Sequence, residues 1–255
     1  MNTPEADYRA LLPILLGLYP SLPGLTLQES HRPITHVAHG WYMRCHRGVQ
    51  AVFQLEETGF QEEASPIRRS ILEHVVALKW LAEQGGVVAD ILKRGAAHDA
   101  AKRKVALVAA NWTAVDLGLF DAVIADQDGT DPQYDNLLHF KQRCDRFGTP
   151  HDWTTYLVET ARSHPCWESA VPYMDVSTGR PLALDQPEPV IDQAGFCVIH
   201  LFEALVAIDH MIAASHLTPE LERLDVEIRR IAVRQRREQG LHIPDGFDPD
   251  AEASL

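Results

Sequence analysis

The 255-residue sequence lacks the short motifs that mark the commonest nucleotide-binding and hydrolytic sites. It contains no Gly-x-x-x-x-Gly-Lys-Ser/Thr phosphate loop, no Gly-x-Gly-x-x-Gly turn and no Gly-x-Ser-x-Gly nucleophile elbow. The His-Glu-x-x-His pattern of zinc proteases is also missing. No single motif therefore fixes a reaction, and function has to be inferred from groups of residues.

Paired cysteines, positive charge and long apolar runs are scarce as well. The four cysteines show no C-x-x-C spacing. We expect no secretory signal, because the first residues are acidic and Pro13 interrupts the only apolar run near the N-terminus. No run reaches the roughly 20 apolar residues of a membrane span. We therefore expect reduced thiols, a cytoplasmic location and no membrane partner. The net charge of −13 argues against general binding to DNA, which requires Lys and Arg to neutralise phosphates.

The residues that are present predict an all-α fold. Apolar residues make up 45% of the chain, enough for a sizeable core, and no period-2 run is long enough for a central strand. We predict a single helical bundle of about seven to nine helices over 1–240, with a long proline-rich loop or lid at 164–189 and a mobile acidic tail at 241–255. Apolar spacing and cap residues predict the main helices over 3–18, 34–57, 65–84, 87–117, 132–147, 150–163, 190–216 and 218–240.

The helix at 65–84 has the clearest boundaries. Ser65 is suited to an N-cap, Pro66 to the first helical position and Gly85 to a left-handed stop. One stripe of the helix is apolar and has His74 set into it, so His74 is expected to face a core or a partner. This stripe is formed by Ile67, Ile71, Leu78 and Leu81.

Charged residues on the same helix form the first candidate site. Arg69 and Glu73 lie one turn apart, and we predict that they pair and are largely buried. Arg68 and Lys79 point elsewhere and are predicted to be solvated. A structural ion pair beside a satisfied core histidine would explain these residues without any activity. A functional cleft that uses Arg69, Glu73 and His74 is the alternative.

Arg69-x4-His74 fits the Arg-x(4–6)-His pattern of HEPN domains, which are helical nucleotide-binding and ribonuclease modules. The chain resembles HEPN domains in this pattern. The resemblance implies a metal-independent ribonuclease site shared by the two subunits of a homodimer. Arg69 would then hold a phosphate, His74 would act as general acid or base, and Glu73 would orient Arg69 or a histidine.

A second resemblance covers more of the chain. The run Ile-Arg-Arg-Ser-Ile-Leu-Glu at 67–73 is followed about ninety residues later by Tyr-Leu-Val-Glu-Thr-Ala-Arg-Ser-His-Pro at 156–165. In these two segments the chain resembles domain of unknown function 5677, a bacterial helical family. Members pair an Arg-Ser-x-x-Glu helix with a later Tyr…Ser-x-x-x-His segment, and Thr160 stands here where serine is common. The family has no established activity to transfer.

Two predicted helices also carry rows of polar side chains. The row at 34–57 consists of His36, His39 and His46, and the row at 190–216 consists of His200, Glu203 and His210. Imidazoles and carboxylates between helices can hold iron, manganese or zinc. Neither row has the Glu-x-x-His order of ferritin-like sites, so we predict no metal and no cofactor, and we expect the histidines to satisfy core polar groups. His200 and Glu203 are expected to be partly buried at a central cleft and join Arg69, Glu73 and His74 as candidate catalytic residues.

The favoured function is that of an HEPN-like helical protein that binds or acts on RNA or a nucleotide in a bacterial stress or defence setting. Two alternatives stay open. One is a metal-dependent helical-bundle enzyme that uses the histidine rows. The other is a non-catalytic interaction protein whose buried polar groups specify helix register.

Overall fold

In a computed structural model, the chain is described over residues 3–22, 24, 26–112, 114–125, 137–175, 177–181, 192–214, 217–244 and 246–250. Nine α-helices of eight residues or more occur in this part of the chain. The strands found there are two-residue segments, Met174–Asp175 (β1) and Arg180–Pro181 (β2), paired antiparallel. The fold is therefore an all-α bundle, as the sequence predicts.

The α-helices are α1 (Pro4–Leu18), α2 (Thr35–Glu57), α3 (Ser65–Gln84), α4 (Val88–Ala109), α5 (Gly118–Ala125), α6 (Phe140–Phe147), α7 (Pro150–Ser163), the four-residue α8 (Trp167–Ala170), α9 (Gln193–Met211) and α10 (Thr218–Glu238). Short 3-10 turns cover Glu29–Ile34, Glu62–Ala64, Gly85–Val87 and Val171–Tyr173. The helix predicted at 87–117 ends at Ala109, so its predicted continuation over 110–112 and 114–117 is wrong. Residues 132–136 of the helix predicted at 132–147 lie outside the described part.

Helix α3 occupies the centre of the bundle. It packs against α2, α6, α7 and α9, and its Leu72, Val76 and Trp80 side chains are fully buried. Helix α9 is the other central element and packs against α1, α2, α3 and α10. By length and composition α9 could cross a membrane, but two thirds of its most apolar stretch is buried inside the protein. Its apolar character is that of a helix surrounded by others.

Local cap chemistry explains most helix ends. Thr3 accepts the Ala6 N–H at the start of α1, and Thr149 and Asp152 form a reciprocal capping box at the start of α7. Gly85 ends α3 with φ of 62°, a left-handed conformation that suits glycine. The predicted N-cap role of Ser65 is wrong, because the cap position is Ala64.

Arg68 is buried, so its predicted solvation is wrong. Its side chain is 1% exposed, and its Nε lies 2.7 Å from Oε1 of Glu159, which is fully buried on α7. The guanidinium also donates to Oε2 of Glu159 and to the carbonyl of Gln61. Ser65 donates to the same Glu159 carboxylate, at 2.5 Å. These hydrogen bonds satisfy a charge pair that would otherwise be costly to bury.

The predicted loop at 164–189 contains local structure where it is described. It holds α8, the turn Val171–Tyr173 and the β1–β2 pair, and its residues 176 and 182–189 lie outside the described part. In the predicted acidic tail, Asp248 and Asp250 pair with Arg237 and Arg230 of α10. Residues 245 and 251–255 of that tail are not described.

The four cysteines are free thiols in different environments. Cys45, Cys144 and Cys197 are buried, and Cys166 is exposed. Burial raises the pKa of Cys45 and of Cys197, and raises the pKa of Cys144 to about 11. The three buried thiols are therefore protonated and unreactive at neutral pH.

Candidate functional site

Arg69 lies at the centre of a polar network between α3 and α7. Its Nε donates to Oε1 of Glu73 at 3.1 Å, and its Nη2 donates to the Tyr156 hydroxyl at 3.0 Å. Its Nη1 donates to Nε2 of His164 at 2.9 Å. The guanidinium carbon also lies 4.9 Å from the centroid of the Tyr156 ring, within cation–π range. Three side chains therefore hold Arg69, and one of them, Tyr156, contacts it through both its hydroxyl and its ring.

The predicted pairing of Arg69 with Glu73 is confirmed, but the predicted depth of burial is wrong. The side chains of Arg69 and Glu73 are 25% and 32% exposed. They lie at the edge of α3, where α7 covers one side of the guanidinium and solvent reaches the other. The pair is therefore accessible to a ligand, unlike the Arg68–Glu159 pair beneath it.

Hydrogen-bond roles in this network leave donors for a ligand. Arginine only donates, so Nε2 of His164 must accept, and a neutral His164 carries its proton on Nδ1. The Tyr156 oxygen accepts from Arg69, which leaves the phenol proton for another acceptor. His164 is exposed. The outer face of the network therefore presents donor groups, which suit an anion.

His74 is positioned as a base on the same helix. Its Nδ1 donates to the Ser70 carbonyl at 2.6 Å, so Nε2 carries the lone pair. Burial lowers the pKa of His74, and the nearby charges of Arg44 and Arg143 lower it further, although Ser70 and Glu73 oppose them. His74 is therefore neutral at pH 7. Among the described contacts it shares no hydrogen bond with Arg69.

Arg143 of α6 supplies a second cation that the sequence analysis missed. Burial lowers the pKa of Arg143, and the charges of Glu73 and Tyr156 act in the opposite direction. Its Nε is buried without a hydrogen-bond partner among the described residues. No spacing rule could have singled out Arg143, because only the packing of α6 on α3 brings it to the site. We refer to Arg69, Glu73, His74, Arg143, Tyr156 and His164 as the Arg69 cluster.

The histidine row of α2 does not form one site. His36 is exposed, His39 Nδ1 lies 2.6 Å from the Tyr19 hydroxyl, and His46 Nε2 donates to the Leu16 carbonyl at 3.0 Å. Their different partners show that helical spacing alone does not create a shared ligand set. His210, from the row on α9, is exposed as well.

His200 and Glu203 of α9 meet a different partner, Asp152 of α7. His200 Nε2 lies 3.7 Å from Asp152 Oδ1, and Glu203 Oε1 lies 3.0 Å from Lys79 Nζ. Lys79 was predicted to be solvated, but its side chain is 22% exposed and paired. Burial acts to raise the pKa of Asp152, but His200, Lys79 and the Thr149 N–H together lower it to about 2. Asp152 is therefore ionised.

The five residues proposed from sequence fall into two groups. Lys79, which contacts Glu203, lies ten residues after Arg69 on α3, about 15 Å along the helix axis. Arg69, Glu73 and His74 therefore belong to one site, and His200 and Glu203 to another. Asp152 had no sequence signal beyond its place in a capping box.

Residues 35–174 match the Family of unknown function (DUF5677), over just more than half of the chain. The chain belongs to this family. Both segments that suggested DUF5677 lie in the matched region, and the fold brings Arg69 and Glu73 of the first against Tyr156 and His164 of the second. The whole Arg69 cluster lies inside the DUF5677 region, whereas His200 and Glu203 lie outside it. No curated protein and no solved structure matches the chain.

Proposed function

We propose that the Arg69 cluster binds an RNA or nucleotide phosphate and supports HEPN-like, metal-independent cleavage of RNA. The observation that carries the proposal is the network in which Glu73, Tyr156 and His164 hold the Arg69 guanidinium at an accessible edge. Two arginines and two donor groups gather there on a chain whose net charge is −13. Such a local excess of cations and donors favours one anionic group over general polyanion binding.

The chemistry follows from the protonation states. Arg69 and Arg143 would offset the negative charge that builds up on the phosphate oxygens in the transition state. Neutral His74 would accept the proton of the ribose 2′-hydroxyl through Nε2, so that this oxygen attacks phosphorus. As the 2′-O–P bond forms, the bond to the 5′-oxygen breaks, and His164 or Tyr156 would donate a proton to that leaving oxygen. The products are a 2′,3′-cyclic phosphate and a 5′-hydroxyl.

The HEPN resemblance adds a second copy of the chain, with two clusters facing each other across a symmetric dimer. The acidic surface then favours selective RNA substrates in place of any exposed strand. Free thiols and the bacterial distribution of the resemblance support a setting in the bacterial cytoplasm, in a stress or defence response.

The test is a ribonuclease assay in excess chelator with wild type, Arg69→Ala and His74→Ala. Removal of a general base or of an electrostatic stabiliser is expected to lower the rate about 10²- to 10⁴-fold. Arg103→Ala, which removes an exposed arginine of α4, is the matched control and is expected to retain full activity. Sedimentation analysis of the same samples is expected to show a dimer.

Two outcomes count against the proposal. Cleavage that survives both Arg69→Ala and His74→Ala would assign the activity to other residues or to a contaminant. A folded wild-type protein that neither binds nor cleaves a broad panel of RNAs would favour the interaction-protein alternative.

A further inference from the structure

A second polar group lies between α7 and α9. Asp152, His200 and Glu203 each offer one ligand atom, and these atoms all lie within 4.8 Å of one another. Asp152 and His200 are buried, with side chains 8% and 10% exposed, and Glu203 is 26% exposed. We refer to these three residues as the Asp152 group.

Two atoms of the Asp152 group are buried without a hydrogen-bond partner among the residues that the structure describes. These atoms are Nε2 of His200 and Oε2 of Glu203. The 3.7 Å from His200 Nε2 to Asp152 Oδ1 is too long for a hydrogen bond. Buried polar atoms are rarely left unpaired in proteins, because they lose their hydrogen bonds to water, so two such atoms in one group indicate a missing partner.

The remaining hydrogen bonds already orient these side chains as metal ligands. His200 donates Nδ1–H to the Phe196 carbonyl at 2.8 Å, which leaves the lone pair on Nε2. Asp152 uses Oδ2 to accept the Thr149 N–H at 2.7 Å, so Oδ1 is the oxygen that faces His200. A backbone partner on the far side of each ligand is the usual way in which proteins orient metal ligands.

Lys79 supplies positive charge at the site in the described structure. Its Nζ lies 3.0 Å from Glu203 Oε1 and is the cation that offsets the two carboxylates. A metal ion and Lys79 would repel each other and compete for the same carboxylate. Removal of the Lys79 charge should therefore strengthen binding of a cation.

We propose that Asp152, His200 and Glu203 bind one divalent transition metal ion of the zinc and manganese class. One imidazole nitrogen and two carboxylate oxygens match the donors that these ions accept, and three protein ligands leave a coordination position open. His200 also lines a cavity of about 480 Å³, which gives solvent access to that side of the site. The sequence predicted no metal because neither histidine row has the Glu-x-x-His order of ferritin-like sites. The helical spacing of α9 also gave no sign of Asp152, the third ligand, which comes from α7.

The test is titration calorimetry of the chelator-treated full chain with ZnCl₂ and, separately, with MnCl₂. We expect one ion per chain for at least one metal. We expect Glu203→Gln and His200→Gln to weaken that binding at least 10- to 100-fold, and Lys79→Met to strengthen it. His36→Ala and His210→Ala, which remove exposed histidines, are the matched controls and should bind as wild type does.

The proposal is overturned if folded wild type binds neither ion. It is also overturned if binding is unchanged in Glu203→Gln or is lost in a surface-histidine control. Circular dichroism establishes that each variant is folded. If His200→Gln unfolds, the variants of the partly exposed Glu203 and Lys79 still test the proposal. We expect Glu203→Gln to weaken metal binding and Lys79→Met to strengthen it. The ribonuclease assay is run in chelator, so the two proposals fail independently.

Discussion

Arg68 of α3 and Glu159 of α7 form a buried ion pair with 2.7 Å between Nε and Oε1, although 91 residues separate them along the chain. The adjacent Arg69 contacts Tyr156, which lies about one turn before Glu159 on α7, and His164, which lies just beyond the end of α7. The buried pair thus fixes α3 against α7, and the exposed cluster depends on that register. The same two helices, α3 and α7, therefore carry both the buried ion pair and the candidate site around Arg69.

The first prediction concerns the stability contributed by this pair. Arg68→Met or Glu159→Gln should lower the free energy of unfolding by about 3–5 kcal/mol, because each leaves its partner uncompensated in the core. The double variant Arg68→Met/Glu159→Leu should recover much of that loss. Urea unfolding is the measurement, with Arg223→Ala as the control.

Arg223 pairs with Glu220 on the surface of α10, where solvent screens the charges, so its replacement should change the free energy of unfolding little. Equal effects of Arg68→Met and Arg223→Ala would contradict the burial of the α3–α7 pair.

The second prediction separates the hydroxyl of Tyr156 from its ring. Tyr156→Phe removes only the acceptor for Arg69 and should lower stability by about 0.5–1.5 kcal/mol. Tyr156→Leu also removes the cation–π contact and the stack on Phe140, whose ring centroid lies 4.3 Å away, so it should cost more. Thermal unfolding gives both values, and identical melting temperatures for the two variants would show that the ring adds nothing.

The third prediction is a pH dependence due to His74. Its folded-state pKa is lowered from the ordinary 6.5, so the unfolded chain binds this proton more readily. The stability associated with neutral His74 is fully present above pH 6.5 and is lost as the pH falls from 6.5 through the folded pKa. His74→Gln should therefore flatten the decrease below pH 6.5 in urea unfolding measured across pH. A steeper decrease in the variant would reverse the assigned sign.

The fourth prediction concerns the end of α3. Gly85 has φ of +62°, and a Cβ there would lie 2.8 Å from the Ser30 carbonyl oxygen. Gly85→Ala should cost about 1–3 kcal/mol from backbone strain, before any cost of the close contact. A Cβ at Gly17 in α1 would meet no described atom within 4 Å, so Gly17→Ala should be neutral or stabilise by up to about 1 kcal/mol. Chemical denaturation of the two variants checks the contrast.

The ends of α3 are predictable from sequence because their causes are local. Pro66 and Gly85 act within one turn of the helix, and the pairing of Arg69 with Glu73 depends only on helical spacing. The predicted N-cap role of Ser65 and the predicted solvation of Arg68 are wrong for the same reason. Both side chains bind Glu159, which lies 94 residues after Ser65 and 91 after Arg68, and so distant a partner leaves no mark on local spacing.

The residues of the candidate sites also divide into those that the sequence indicated and those that only tertiary packing reveals. The family resemblance pointed to the later segment that contains Tyr156 and His164, and the fold shows that both residues hydrogen-bond to Arg69. Arg143 carried no sequence signal, and Asp152 carried only that of a helix cap, because each reaches its site through the packing of a neighbouring helix. Helical periodicity identified His200 and Glu203, but only tertiary structure shows that they lie apart from Arg69.

The distribution of thiols has a practical consequence for testing these ideas. Cys166 is exposed two residues after His164, while the other three cysteines are buried. A maleimide dye should therefore label the native chain at a single position beside the Arg69 cluster, without any cysteine having to be introduced or removed. The emission of that dye would then give an optical readout of ligand arrival at Arg69, His164 and Tyr156.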